Sequence, residues 1–186
     1  MKTSLICAGF GGQGVMVAGQ ILSYTASETT DKNVTYFPSY SMEKRGGTAN
    51  CYVVLSDDMI GAPMASHVNN LMIFNNPSFG KFISYLEPGG NLFVNTTVVT
   101  DVTDRKDINI INVDAEKIAA ELGSARSMNL VMAGAFVGYT DALPVENCVQ
   151  TIFKKLGAKR PQLNPVNEAA FRKGVEIGRA AKADNL

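Results

Sequence analysis

The chain contains 186 residues, 46% of them apolar, and its 17 Lys and Arg residues balance its 17 Asp and Glu residues. This neutral formal charge gives no basic excess for binding nucleic acid or an anionic membrane, and no apolar run approaches the ~20 residues of a membrane-spanning helix. We therefore expect a single domain over residues 1–186 that functions in the cytoplasm. A neutral chain has little colloidal repulsion, which suits a protein that works within a complex.

The first predicted element is a short buried strand at residues 3–8, followed at once by a glycine-rich turn and a helix at residues 15–29. Nucleotide-binding folds use this order, because glycine permits a positive φ and the close approach of a ligand. The N–H groups at the start of the helix would face an anion. The candidate cofactor-binding residues are Gly9, Gly11, Gly12, Gln13 and Gly14.

The second predicted strand, at residues 33–37, lacks the acidic residue that a dinucleotide site needs. It leads into Pro38, Ser39 and Tyr40, whereas such a site holds the ribose with Asp or Glu about 20 residues beyond the glycine turn. Three interpretations of the turn stay open. The first is a dinucleotide site, and the absence of the acidic residue argues against it. The second is a tight turn that needs glycine for packing. The third is a turn that holds a phosphate or polar group of a ligand shared with another chain.

The segment at residues 38–50 is long for a connection between two strands, and it mixes aromatic, charged and glycine residues. Loops held on a rigid sheet often carry function, and the guanidinium of Arg45 is suited to paired hydrogen bonds with a carboxylate or phosphate. The alternative is a solvated turn in which Glu43 and Arg45 pair locally and contribute little stability. The candidate partner-interface residues are Tyr40, Glu43, Arg45, Gly46, Gly47 and Asn50.

The following segments alternate strands with helices. Strands are predicted at residues 50–56, 71–75, 91–95 and 108–113, with helices at residues 79–86 and 115–122. Residues 87–90 (Glu-Pro-Gly-Gly) are expected to stop the first of these helices. The alternation predicts a three-layer α/β/α domain with a largely parallel sheet and a start resembling that of a Rossmann fold.

The rest of the chain is predicted to be helical. Residues 127–139 are apolar almost all round, so that a helix here must be covered on several sides. A further helix is predicted at residues 144–156, and the last one ends near Ala181. Asn164 and Pro165 are residue types favoured at a helix N-cap and at the first helical position, respectively.

The cysteines and the single histidine give no catalytic or metal-binding pattern. Cys7, Cys51 and Cys148 are far apart in the chain, and Cys7 and Cys51 fall in predicted strands as small core residues. His67 lies in a polar turn and is interpreted as a surface or interface residue. We therefore predict no catalytic residue and no metal ligand in this chain.

Three segments together resemble the gamma subunit of the 2-oxoacid:ferredoxin oxidoreductases. They are the glycine turn at residues 9–14, residues 38–51 (PSYSMEKRGGTANC) and residues 129–135 (NLVMAGA), and the similarity extends over nearly the whole chain. Residues 45–50 (RGGTAN) resemble the 2-oxoglutarate and branched-chain members more than the pyruvate members. Ser41 and Met42 depart from the family pattern, because many relatives have Gly followed by Pro or a similar residue at these two positions.

The resemblance implies a small α/β subunit of a larger enzyme. Alpha and beta subunits would supply the substrate site and the pocket for thiamine diphosphate and Mg, and a ferredoxin-like delta subunit would carry further iron–sulfur clusters. The assembled enzyme would convert a 2-oxoacid, with 2-oxoglutarate favoured, and coenzyme A into acyl-CoA, CO2 and reduced ferredoxin. This chain would support assembly and the cofactor or coenzyme A pocket, and it would be inactive alone. The alternative function is a freestanding nucleotide-binding α/β domain, either a dehydrogenase or a regulatory module.

Overall fold

The computed structural model describes residues 2–40 and 47–185, and within them six strands form one sheet in the order β2-β3-β1-β4-β5-β6. The strand β3, the third in chain order, pairs antiparallel with both of its neighbours, and every other neighbouring pair is parallel. Five of the six strands therefore run in one direction, which confirms the prediction of a largely parallel sheet. The strands are β1 (Lys2–Phe10), β2 (Asn33–Tyr40), β3 (Thr48–Ser56), β4 (Val68–Ile73), β5 (Leu86–Asn95) and β6 (Asn109–Val113).

Helices cover both faces of the sheet, but unequally. Leu5 and Cys7 on one face of β1 join the larger apolar cluster, whereas Ile6 and Ala8 on the other face join a smaller one. Of the helices, only α2 packs in the smaller cluster, so the three predicted layers are present with most helices on one side. In the described part of the chain no helix is long and apolar enough to cross a membrane. The helices are α1 (Val15–Thr29), α2 (Asn76–Phe82), α3 (Ala115–Glu121), α4 (Met128–Thr140), α5 (Val145–Ile152) and α6 (Asn164–Asp184).

The helix α4 is buried along almost its whole length, as its apolar sequence predicts. Its backbone lies close to that of α6, because glycines occupy the contact on both helices. A β-carbon added at Gly134 would overlap the carbonyl oxygen of Phe171, and one added at Gly174 would overlap the carbonyl oxygen of Val131. These reciprocal contacts fix the distance between the two helices.

Several predicted boundaries were wrong. The connection predicted at residues 38–50 is shorter, because residues 38–40 belong to β2 and residues 48–50 to β3, where they continue the pairing of these two strands. Residues 87–90, expected to stop a helix, lie inside β5, because α2 ends at Phe82 and one 3-10 turn (Ile83–Tyr85) leads directly into the strand. Gly89 there has a φ of 76°, and its N–H donates to the carbonyl of Asp107 at 2.5 Å. Asn164 is the first residue of α6 and not its N-cap, since the 3-10 turn Pro161–Leu163 runs straight into that helix.

Candidate functional site

The glycine turn lies at the carboxyl edge of the sheet, where β1 and β4 separate. These two strands are parallel neighbours, but α1 follows β1 onto one face and α2 follows β4 onto the other. The chain therefore leaves the two strand ends in opposite directions. A crevice at such a point is where open α/β sheets bind their ligands.

The side chain of Gln13 fills this crevice. Its Oε1 accepts hydrogen bonds from the N–H of Phe10 at 2.7 Å and from Nδ2 of Asn75 at 3.2 Å. Its Nε2 donates to the carbonyl of Phe74 at 3.1 Å. Gln13 thus joins the ends of β1 and β4, and it satisfies polar groups that a ligand in the crevice would otherwise meet.

Two glycines of the turn are required by its backbone. Gly12 has a φ of 101° and Gly14 a φ of 77°, a region that glycine enters without strain. A β-carbon at Gly14 would also lie 2.7 Å from Nδ2 of Asn129, which donates to the carbonyl of Gly14 at 3.2 Å. Asn129 begins the third segment of the family resemblance, so the first and third segments meet at the start of α1.

The remaining glycines of the turn differ from each other. A β-carbon added at Gly9 would lie 2.7 Å from both Oε1 of Gln13 and Cβ of Phe74, so this position needs glycine for close packing. A β-carbon added at Gly11 would meet no atom of residues 2–40 and 47–185 within 4 Å. Within this part of the chain, packing therefore does not require glycine at this position.

A shallow apolar cavity of about 320 Å³ lies against the turn and brings part of the predicted site together. The ring of Tyr40, at the end of β2, borders it and is 68% exposed. Met16 and Ala49 also border the cavity but were not among the predicted site residues. Their only sequence signal was position: Met16 lies in α1 just after the glycine turn, and Ala49 lies in β3, which pairs with β1. Those predicted residues that border the cavity are Gly11, Gly12, Gly14 and Tyr40.

The other predicted interface residues lie in different places. The carbonyl of Gly47 accepts a hydrogen bond from the N–H of Gly11 at 3.2 Å, which ties the start of β3 to the turn. Asn50 is buried within the sheet, where it lies opposite Ala8 of β1. Glu43, Arg45 and Gly46 fall outside the described residues.

The site offers packing and hydrogen bonding, with no carboxylate, imidazole, amine or guanidinium among the described residues that line the cavity. Cys7 and Cys51 lie opposite each other in β1 and β3, and their hydrogen bond, together with burial, raises the pKa of the Cys7 thiol. Burial also raises the pKa of Cys148 to about 12, so the thiols of Cys7 and Cys148 stay protonated and unreactive at neutral pH. His67 is exposed, as predicted, and no cluster of three or more His, Cys, Asp or Glu suited to a metal occurs within residues 2–40 and 47–185.

Comparison with known proteins matches nearly the whole chain. A family model described as pyruvate ferredoxin/flavodoxin oxidoreductase matches residues 4–177. The 2-oxoglutarate synthase subunit KorC of Methanocaldococcus jannaschii is 28% identical over 181 residues, which cover 96% of this chain and 95% of that subunit. The ketoisovalerate oxidoreductase subunit VorA of Methanothermobacter marburgensis is 35% identical over 130 residues, which cover 70% of this chain. Those residues span only 27% of that longer subunit.

Among solved structures, the fold matches that of the keto/oxoacid ferredoxin oxidoreductase gamma subunit from Geobacter sulfurreducens PCA. The TM-score is 0.85 at 24% sequence identity, and the match covers 97% of this chain and 98% of that one. This agreement confirms the predicted α/β fold over almost its full length.

Proposed function

This chain belongs to the pyruvate ferredoxin/flavodoxin oxidoreductase family, and we propose that it is the gamma subunit of a 2-oxoacid:ferredoxin oxidoreductase. The near full-length match to a 2-oxoglutarate synthase subunit supports a role as a separate small subunit. The match to about a quarter of a ketoisovalerate oxidoreductase subunit supports a role in the same class of enzyme, although the similar unit there forms part of a longer chain.

The proposed complex works in the cytoplasm on a 2-oxoacid, with 2-oxoglutarate favoured and 2-ketoisovalerate next. The substrate loses CO2, two electrons pass to ferredoxin, and the acyl group passes to the thiol of coenzyme A with release of its proton. Alpha and beta subunits would hold thiamine diphosphate with Mg, which would supply the stabilisation of negative charge that decarboxylation requires. Iron–sulfur clusters there and in a ferredoxin-like delta subunit would carry the electrons. This chain contributes a docking surface and has no oxidoreductase activity of its own.

The observation that carries this proposal is the exposed aromatic side chain of Tyr40 beside the glycine turn. Tyr40 ends the edge strand β2, is 68% exposed and borders the apolar cavity. An exposed aromatic side chain next to an apolar cavity is typical of a surface that a partner covers. We place the partner interface here, with Tyr40 and Gly47 at its centre, and we include Glu43, Arg45 and Gly46 in it on the basis of the sequence. Asn50 supports it from within β3.

The test is an activity assay on the complex and on the chain alone. The complex, purified anaerobically through a tag on this chain, should reduce viologen dye with coenzyme A and one of the substrates 2-oxoglutarate, 2-ketoisovalerate or pyruvate. The chain purified alone should give no turnover with any of them. Turnover by the chain alone, or a complex inactive with all three substrates, would contradict the proposal.

The alternative, a freestanding nucleotide-binding domain, predicts that the chain alone binds NAD. Gln13 fills the crevice where a dinucleotide would lie, and β2 ends in Pro38, Ser39 and Tyr40 without a carboxylate for the ribose. We therefore expect no saturable NAD binding in calorimetry. Tight NAD binding without partner subunits would favour the alternative.

A further inference from the structure

A second, larger cavity lies on the helical side of the glycine turn, where three helices begin. Its volume is about 630 Å³, and Gly14, Ser127 and Leu163 all line it. Gly14 is the N-cap of α1, whereas α4 and α6 continue 3-10 turns that begin after Ser124 and Arg160, which also line the cavity. Among the described residues no side chain caps any of these three starts. Each helix start carries a partial positive charge of about half a unit, so the three together favour an anion in this space.

Basic side chains around the same cavity add full positive charges. Lys155 lines it but is paired with Glu28 at 2.6 Å. Arg126, Lys159 and Arg160 also line it, and none of them forms an ion pair with another described residue. No Asp or Glu occurs among the described residues that line the cavity. Three uncompensated cations in one place are a local excess in a chain whose formal charge is zero.

A buried amide on the cavity wall points to a ligand independently of these charges. Asn167 is 7% exposed, and its Oδ1 accepts a hydrogen bond from Oγ of Ser127 at 2.9 Å. The Nδ2 of Asn167 donates no hydrogen bond to any described residue, although Asn167 lines the cavity. This N–H₂ group is open to the cavity, where an anionic oxygen would accept a hydrogen bond from it.

We propose that this cavity binds the phosphate groups of a small molecule. Guanidinium groups form paired hydrogen bonds with phosphate oxygens, and two arginines flank the space. The combined charge of three cations and three helix starts suits a multiply charged phosphate better than a single carboxylate. The volume lies within the ~300–1,000 Å³ range of small-molecule sites, and a concave site of this size favours a compact ligand over an acidic segment of a protein.

The inference does not depend on the proposed function, because it concerns binding by this chain alone. The phosphate has two conceivable sources in the proposed setting: the diphosphate of coenzyme A, or a different phosphorylated compound. Inorganic pyrophosphate represents the shared chemistry, and competition with coenzyme A separates the two sources.

The experiment is calorimetric titration of the full chain with inorganic pyrophosphate at low ionic strength. We expect saturable binding, weakened about tenfold or more in the double variant Arg126→Gln/Arg160→Gln, because each substitution removes a charge-assisted contact. Both side chains are exposed, so the melting temperature should stay at the wild-type value. Arg179→Gln is the matched control, since Arg179 is exposed and lies 16 residues beyond Leu163, about 24 Å away along the axis of α6.

Displacement of pyrophosphate by coenzyme A would assign the phosphate to that molecule, and binding without displacement would assign it to another phosphorylated compound; the site stands in both cases. Absence of saturable pyrophosphate binding by the wild-type chain would overturn the inference. So would equal weakening by Arg179→Gln, since this would show a diffuse charge effect and no site.

Discussion

At the scale of single residues, Gln13 holds the carboxyl edge of the sheet together. It makes three hydrogen bonds to groups at the ends of β1 and β4, and these groups are at least partly buried. The glycine turn is therefore closed by a side chain of the chain itself. Gly9 and Gly14 are needed for this packing, since a β-carbon at either position would overlap a neighbouring side chain.

The substitution Gln13→Ala should lower the free energy of unfolding by about 1–3 kcal/mol, because it leaves three buried polar groups without partners. Urea unfolding measures this loss. Gln150→Ala, at an exposed position of α5, is the control and should change the stability by less than about 0.5 kcal/mol. Equal stability of the two variants would show that the contacts of Gln13 contribute nothing.

Tyr40 is the residue through which the proposed interface is tested most simply. Because its side chain is 68% exposed, Tyr40→Ala should leave the fold intact. If a partner covers it, the substitution should weaken the affinity for the partner subunits about tenfold or more, as for an aromatic residue at the centre of an interface. Binding is measured by titrating the variant chain against the remaining subunits.

The control for Tyr40 is Met59→Ala. Met59 is 88% exposed but follows the opposite end of β3, at the amino edge of the sheet. Its loss should leave partner affinity unchanged. Unchanged affinity in Tyr40→Ala as well would place the interface elsewhere on the surface.

At the scale of secondary structure, the pair α4 and α6 depends on glycine at its contact. Gly134→Ala should destabilise the chain by about 3 kcal/mol, because the added methyl group overlaps a backbone carbonyl of α6 and the helices must move apart. Thermal and urea unfolding measure the change.

A glycine in another helix gives the opposite expectation. Gly80 lies in α2, and a β-carbon added there meets no atom of the described residues within 4 Å. Gly80→Ala should therefore be neutral or stabilise the chain by up to about 1 kcal/mol through its helix propensity. Destabilisation by both substitutions to the same degree would mean that the close contact of α4 with α6 is not the cause.

Much of the element order could be predicted from local pattern. The bounds of α1 agree with the prediction, because the glycine turn lies directly before a continuous helical pattern of apolar residues. The burial of α4 follows from its apolar composition. The start of β5 and the N-terminus of α6 were wrong, since 3-10 turns run into both elements and the local residue types do not reveal such turns.

The site was predicted less completely than the fold, because its contacts join distant parts of the sequence. Gln13 was singled out as a ligand-binding candidate, but its hydrogen-bond partners Phe74 and Asn75 are 61 and 62 residues away. The cavity that α1, α4 and α6 share is formed by helix starts that lie far apart in the chain. Neither the filling of the crevice nor this cavity has a local sequence signal.

At the scale of the whole molecule, ion pairs between distant segments make stability depend on pH. Hydrogen bonds from Lys154 and Lys155 lower the pKa of Glu28, and the ammonium of Lys32 helps to lower the pKa of Asp57 to about 2. These carboxyl groups bind protons more readily in the unfolded chain. Their stabilising effect is therefore complete above about pH 5 and is lost as the pH falls through the lowered values in the folded state.

The wild-type chain should thus lose stability between pH 7 and pH 3, and Glu28→Gln should lose less over the same interval. The measurement is the midpoint of urea unfolding at a series of pH values. Glu121→Gln replaces an exposed carboxylate that has no ion pair to another described residue, and it should keep the wild-type dependence. Identical pH profiles for wild type and Glu28→Gln would refute a contribution from the Glu28 pairs.

The central claim is that this chain works only as one subunit of a larger oxidoreductase. Native mass spectrometry of the chain, tagged at its own locus and purified anaerobically, tests this most directly. We predict a stable assembly in which this 19.9 kDa chain is present together with larger subunits that retain thiamine diphosphate and iron–sulfur clusters. Recovery of the chain alone, or only as copies of itself, from cells that carry out 2-oxoacid oxidation would contradict the account.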